Sequence, residues 1–108
     1  MAKTTTKLRP EIIRQVRNYL TAVRGAGIPV DRAFIFGSQA KGTARKDSDI
    51  DVAIVSPIFG KDIFDERLKL MLLIQKNYDI EPHPMHPDDL NDKWSTFTNE
   101  VKKYGIPV

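Results

Sequence analysis

One segment constrains this chain more than any other: Asp49-Ile50-Asp51-Val52-Ala53-Ile54-Val55, closed by Ser56-Pro57. An apolar, largely β-branched run that ends at a turn signal reads as a buried strand. Alternate strand residues share a face, so Ile50, Val52 and Ile54 point into a core. Asp49 and Asp51 point the other way, about 7 Å apart along the backbone. Two like charges at the mouth of a buried strand are unfavourable unless something cationic lies between them. A hard divalent cation meets that need, and magnesium takes one or two carboxylates while substrate phosphates fill its remaining positions.

Phosphates need a cradle of their own. Gly37-Ser38 follows Arg32-Ala33-Phe34-Ile35-Phe36, a short aromatic and β-branched run that reads as another buried strand. Gly37 lets backbone approach a ligand, and Ser38 offers a hydroxyl and an N–H at the start of a short helix. Lys41, Arg45 and Lys46 add positive charge to the loop. If one triphosphate touches both Gly37-Ser38 and the two aspartates, the end of the first strand lies beside the start of the second. The two strands are then expected to be antiparallel.

Around these strands the pattern alternates. Pro10 suits a first helical turn, and Ile12, Val16, Tyr19, Leu20 and Val23 repeat at helical spacing until Gly25 and Gly27. From Lys61 to Tyr78, Phe64, Leu68, Met71, Leu72 and Gln75 form a helical stripe, widened by Ile63, Leu70 and Ile74; it is expected to cover the sheet. A third strand is expected over Tyr78 to Glu81, stopped by Pro82 and Pro84. Pro87-Asp88-Asp89 reads as a helix start, and Phe97, Val101 and Tyr104 lie on a last helix ended by Gly105. Trp94 and Tyr104 are expected in the core. His83 and His86 fall in a proline-rich stretch and read as loop histidines. The order predicts an α/β (α+β) domain with a three-stranded mixed sheet in a helix-strand-helix-strand-helix-strand arrangement.

Composition narrows the function classes. At 108 residues one domain over 1–108 is expected, with a flexible tail over 1–8. The absence of cysteine excludes a disulfide scaffold, thiolate zinc sites and a catalytic thiol. The start MAKTTTKLRP has no apolar signal region, so a soluble, cytoplasmic protein that touches no membrane is expected. The net charge of +3 hides a division: residues 1–48 hold ten Lys and Arg against three acids, and 49–108 hold seven against eleven. The sign changes at Asp49.

Gly37-Ser38, ten intervening residues and then Asp49-Ile50-Asp51 in an apolar strand resemble the signature of the DNA polymerase beta-like nucleotidyltransferase superfamily. The small size points to its minimal, MNT-type members, and Ile80-Glu81-Pro82-His83-Pro84 is similar to that group as well. The resemblance implies transfer of a nucleoside monophosphate, AMP from ATP, to a hydroxyl acceptor with release of pyrophosphate. It also implies two Mg2+ ions held by three carboxylates. Asp49 and Asp51 take the bridging role, and the third acid comes from the next strand, Glu81 in preference to Asp79. Gly37, Ser38, Lys41 and Arg45 would bind the triphosphate.

Larger relatives append a helical domain that holds the acceptor. Here the acceptor is expected on a protein partner, on a second copy, or on a macromolecule docked across the site. The resemblance implies the antitoxin of a toxin–antitoxin pair with a helical HEPN-type partner. A non-catalytic inhibitor of that partner and a nucleotidyltransferase acting on RNA are the competing readings.

Overall fold

The computed structural model describes residues 8–75 and 77–108. Helix α1 runs over Pro10–Gly25 with its proline in the first turn, and all five of its periodic apolar residues are buried. Strand β1 (Arg32–Phe36) leads directly into the short helix α2 (Ser38–Lys41). Strand β2 (Ile50–Val55), helix α3 (Ile63–Leu72) and strand β3 (Ile80–Met85) follow. A 3-10 turn at Pro87–Asn91, helix α4 (Thr96–Tyr104) and the two-residue strand β4 (Ile106–Pro107) complete the order. No described helix is long and apolar enough to cross a membrane.

The sheet is mixed and has four strands in the order β3-β2-β1-β4. The expectation of three strands missed β4, whose two residues are too few for an alternation to show. Strands β1 and β2 are antiparallel, as the triphosphate argument requires, and Phe36 at the end of β1 lies opposite Asp51. Strand β3 runs parallel to β2, with Asp51 opposite Glu81 and Ala53 opposite His83.

Side-chain alternation divides the apolar residues between two faces. Ala33, Ile35, Ile50, Val52, Ile54 and Ile80 pack with α1 and Leu70 of α3. Phe36, Ala53, Val55 and Met85 pack with Val101 of α4, with Phe34, Leu90 and Phe97 at the margin. Asp51, Glu81 and His83 belong to this second face, at the end of the sheet where the apolar packing runs out.

Strand β3 corrects the expectation that Pro82 stops it. The carbonyls of Asp79 and Met85 accept from the N–H groups of Ile50 and Ser56 at 2.7 and 2.9 Å, so odd-numbered residues turn their backbone groups toward β2. Pro82 and Pro84 turn theirs to the free side, where a missing N–H breaks no ladder bond. His83 is therefore a strand residue. His86 caps the following 3-10 turn, its Nδ1 accepting from the N–H of Asp88 at 3.0 Å.

Helix α3 brings a second correction. Only Leu70 of this helix is buried, whereas Ile63, Phe64, Leu68, Met71 and Leu72 are exposed. Trp94 is also exposed, against its expected place in the core. Of the expected N-terminal tail, residues 1–7 lie outside the described residues. Leu8 packs against the core instead.

Candidate active site

The site forms where the glycine turn after β1 meets the first residues of β2 and β3. Gly37 adopts φ 73° and ψ −150°, a backbone region essentially reserved for glycine. A side chain there would fall on Oδ2 of Asp51, so the close approach needs the missing Cβ as much as the dihedral freedom. The turn throws Ser38 into the first residue of α2, whose opening N–H groups have no intrahelical partner. Gln39 is buried, and its side-chain amide donates to the Ser48 carbonyl at 3.4 Å, tying α2 to the residue before Asp49.

Register then assembles the ionisable groups. Asp51, Glu81 and His83 each present a ligand atom within 4.8 Å of the others. His83 Nε2 stands 3.3 Å from Asp51 Oδ1 and 4.0 Å from Glu81 Oε1. Its ring is held edge-on against Phe36, with centroids 5.1 Å apart, and tilted against Phe97 at 5.4 Å. From α3, Arg67 donates to Glu81 Oε2 at 3.1 Å. A cavity of about 490 Å3 opens beside His83 and Arg67, with Ile63, Phe64, Pro84 and Phe97 among its walls.

The two carboxylates are pushed apart electrostatically. Glu81 is raised above the ordinary carboxylate value, first by its hydrogen bond with Asp51, then by burial and by the Asp51 charge; His83 and Arg67 pull the other way. Burial opposes ionisation of Asp51, but hydrogen bonds from His83 and Glu81 and the electrostatic pull of His83 and Arg67 outweigh it and hold Asp51 low. Asp51 is thus the more readily ionised of the two and Glu81 the less. Two carboxylates in this relation, with an imidazole nitrogen beside them, form a donor set that fits a divalent cation, whose charge would offset their mutual repulsion.

The nucleotidyltransferase domain family matches this chain over residues 13–103. The chain belongs to that family. Among solved structures, this nucleotidyltransferase is similar to a candidate nucleotidyltransferase from Sulfolobus solfataricus, with TM-score 0.65 and 17% identity over 90% of this chain and 78% of that one. It is also similar to a toxin–antitoxin structure containing AMP-PNP, with TM-score 0.53 and 20% identity over 83% and 69% of the two chains. No curated protein matches it.

Not every residue singled out in the sequence of this nucleotidyltransferase joins the cluster. Gly37, Asp51 and Glu81 come together, and Ser38 adjoins them through Gly37. Asp49 precedes β2, is exposed, and is not one of the three clustered ligands. Asp79 gives its carbonyl to the ladder. Lys41 is turned to α4, where its ammonium meets Glu100 at 2.9 Å and lies 4.7 Å from the Tyr104 ring centre. The Glu100 hydrogen bond raises the Lys41 pKa despite some desolvation. Arg45 sits in the exposed loop, its N–H donating to Ser48 Oγ at 2.7 Å.

Three participants were not legible as such. His83 had a signal, since Glu81-x-His83 alternates on one strand face once β3 runs through its prolines. Gln39 and Arg67 had none, because nothing in their spacing marks the carbonyl or carboxylate each meets.

Proposed function

We infer that this nucleotidyltransferase moves AMP from ATP to a hydroxyl on a partner protein, as the antitoxin of a toxin–antitoxin pair with a helical HEPN-type toxin. One observation carries the reading: the register that sets Phe36 opposite Asp51 and Asp51 opposite Glu81 brings the Gly37 turn against two carboxylates. Further support for nucleotide and partner comes from the similar toxin–antitoxin structure with AMP-PNP.

In this mechanism the Gly37 turn and the hydroxyl and N–H of Ser38 receive the phosphates, and Arg45 supplies charge from the loop. Lys41 contributes once it leaves Glu100. Asp51 and Glu81, with Asp49 two residues upstream on the same strand parity, would hold two Mg2+ ions. When bound, those ions would lower the pKa of the acceptor hydroxyl and offset charge on the departing pyrophosphate. His83, wedged between Phe36 and Phe97, orients Asp51. Arg67 steadies the far oxygen of Glu81.

The test is transfer of label from ATP labelled at its α-phosphate, with Mg2+, to the co-encoded neighbouring protein. Labelling that disappears with Asp51→Asn supports the reading. Tight binding of that neighbour without labelling would instead support the second reading, an inhibitory module without catalysis. Label recovered on RNA alone would move the acceptor to nucleic acid.

A further inference from the structure

The stripe that the helical period lays along α3 does not cover the sheet. Phe64, Leu68, Met71 and Leu72 are 87%, 55%, 49% and 76% exposed, and they fall within an arc of about 100° of the helix. Phe64 also stands at the mouth of the cavity beside His83, and Leu72 lines a groove on the other side with Ile58. With roughly 150–200 Å2 for each large side chain, the four expose about 500 Å2 of apolar surface, toward the upper end of what a monomer shows in one patch. Two such faces together bury about 1,000 Å2, the size at which a specific pair begins.

We propose that this face binds a second copy of the chain, with the two α3 helices antiparallel about a two-fold axis. The charges beside the stripe select that occupant. Asp65 and Lys69 lie on the same flank, one turn apart, and bond each other at 3.1 Å in the isolated chain. A two-fold axis perpendicular to an antiparallel pair of helices sets each flank against the same flank of its copy. With the axis near Arg67, Asp65 of each helix faces Lys69 of the other, so both intramolecular pairs exchange for crossed ones. The antiparallel arrangement also sets the dipoles of the two helices head to tail. Because Phe64 also walls the cavity beside His83 and Arg67, the second copy closes one side of it.

Sedimentation equilibrium of the full chain tests this independently of any nucleotide chemistry. The expected mass is twice the 12.3 kDa of the chain at 100 μM. Leu68→Asp, at a half-exposed position, gives a monomer with unchanged circular dichroism and thermal midpoint. Asp65→Lys and Lys69→Asp each weaken association at least tenfold, and mixing these two variants restores it, because one then carries only bases and the other only acids on that flank. A wild-type monomer at 100 μM overturns the proposal, including one that engages a different protein through this face. So does a dimer that survives Leu68→Asp, or a mixture that associates no better than either charge variant alone.

Discussion

Gly37 carries no side chain because Asp51 fills the space one would need. Gly37→Ala therefore adds a clash to a backbone conformation that alanine avoids. It is expected to cost about 1–3 kcal/mol in urea denaturation and to displace Asp51 from its partners. Asp51→Asn keeps the shape and removes the charge. If the carboxylate pair carries the metal chemistry, several kcal/mol of transition-state stabilisation are lost, about a thousandfold in initial transfer rate. His83→Phe separates the packing of the ring from its nitrogen: the stacking on Phe36 and Phe97 survives while the contact with Asp51 goes. Titration calorimetry with Mn2+ is expected to show about 10–100-fold weaker binding for that variant, with little change in thermal midpoint. An unchanged Mn2+ affinity would remove His83 from the site.

At the scale of elements, α3 is fastened at its start by its own fourth residue. The Glu66 carboxylate accepts from the N–H groups of Gly60, Lys61 and Asp62 at 2.9, 3.0 and 3.2 Å. Desolvation works against ionisation, but these backbone donors win and hold Glu66 below its ordinary value. A carboxylate depressed by folding adds stability above its unfolded pKa and loses it as pH falls through the folded one. Glu66→Gln is thus expected to cost about 1 kcal/mol at pH 7, in the range of a lost helix cap, with the gap to wild type closing as pH falls below the ordinary carboxylate range in urea titrations. The position of α3 was legible in its apolar period, but its outward face was not. A period fixes which residues share a face, and only the size of the sheet beneath decides which face is covered. Leu70, with Leu73 and Ile74 beyond the helix, meets that demand and leaves the stripe to solvent. In β3 the error ran the other way, because proline forbids a ladder bond only on the side that is paired.

Across the whole molecule, Tyr19 joins the layer above the sheet, donating from α1 to the Leu70 carbonyl of α3 at 2.6 Å. Burial raises its hydroxyl well above the ordinary value of about 10. A group whose folded pKa is raised contributes fully below its unfolded pKa and loses that contribution as pH climbs above it. Stability is therefore expected to fall from about pH 10 upward. Tyr19→Phe flattens that alkaline limb in denaturation series, at a cost of about 1 kcal/mol near neutrality for the lost hydrogen bond. The antiparallel pairing of β1 and β2 was legible because phosphate and carboxylates, ten residues apart in sequence, had to serve one ligand. Arg67 and His83 were not, since each reaches the site only through the parallel crossover from β2 to β3. The charge division at Asp49 was visible too, but the fold spends part of it internally, in the pair between Lys41 and Glu100. One consequence lies with Pro82 and Pro84. A sheet edge without donors at alternate positions cannot template an incoming extended peptide. No acceptor segment can add itself to the sheet alongside Glu81 by β-augmentation. If the acceptor is the proposed hydroxyl, it would arrive side chain first over the end of the strands, carried on a helix or a loop tip.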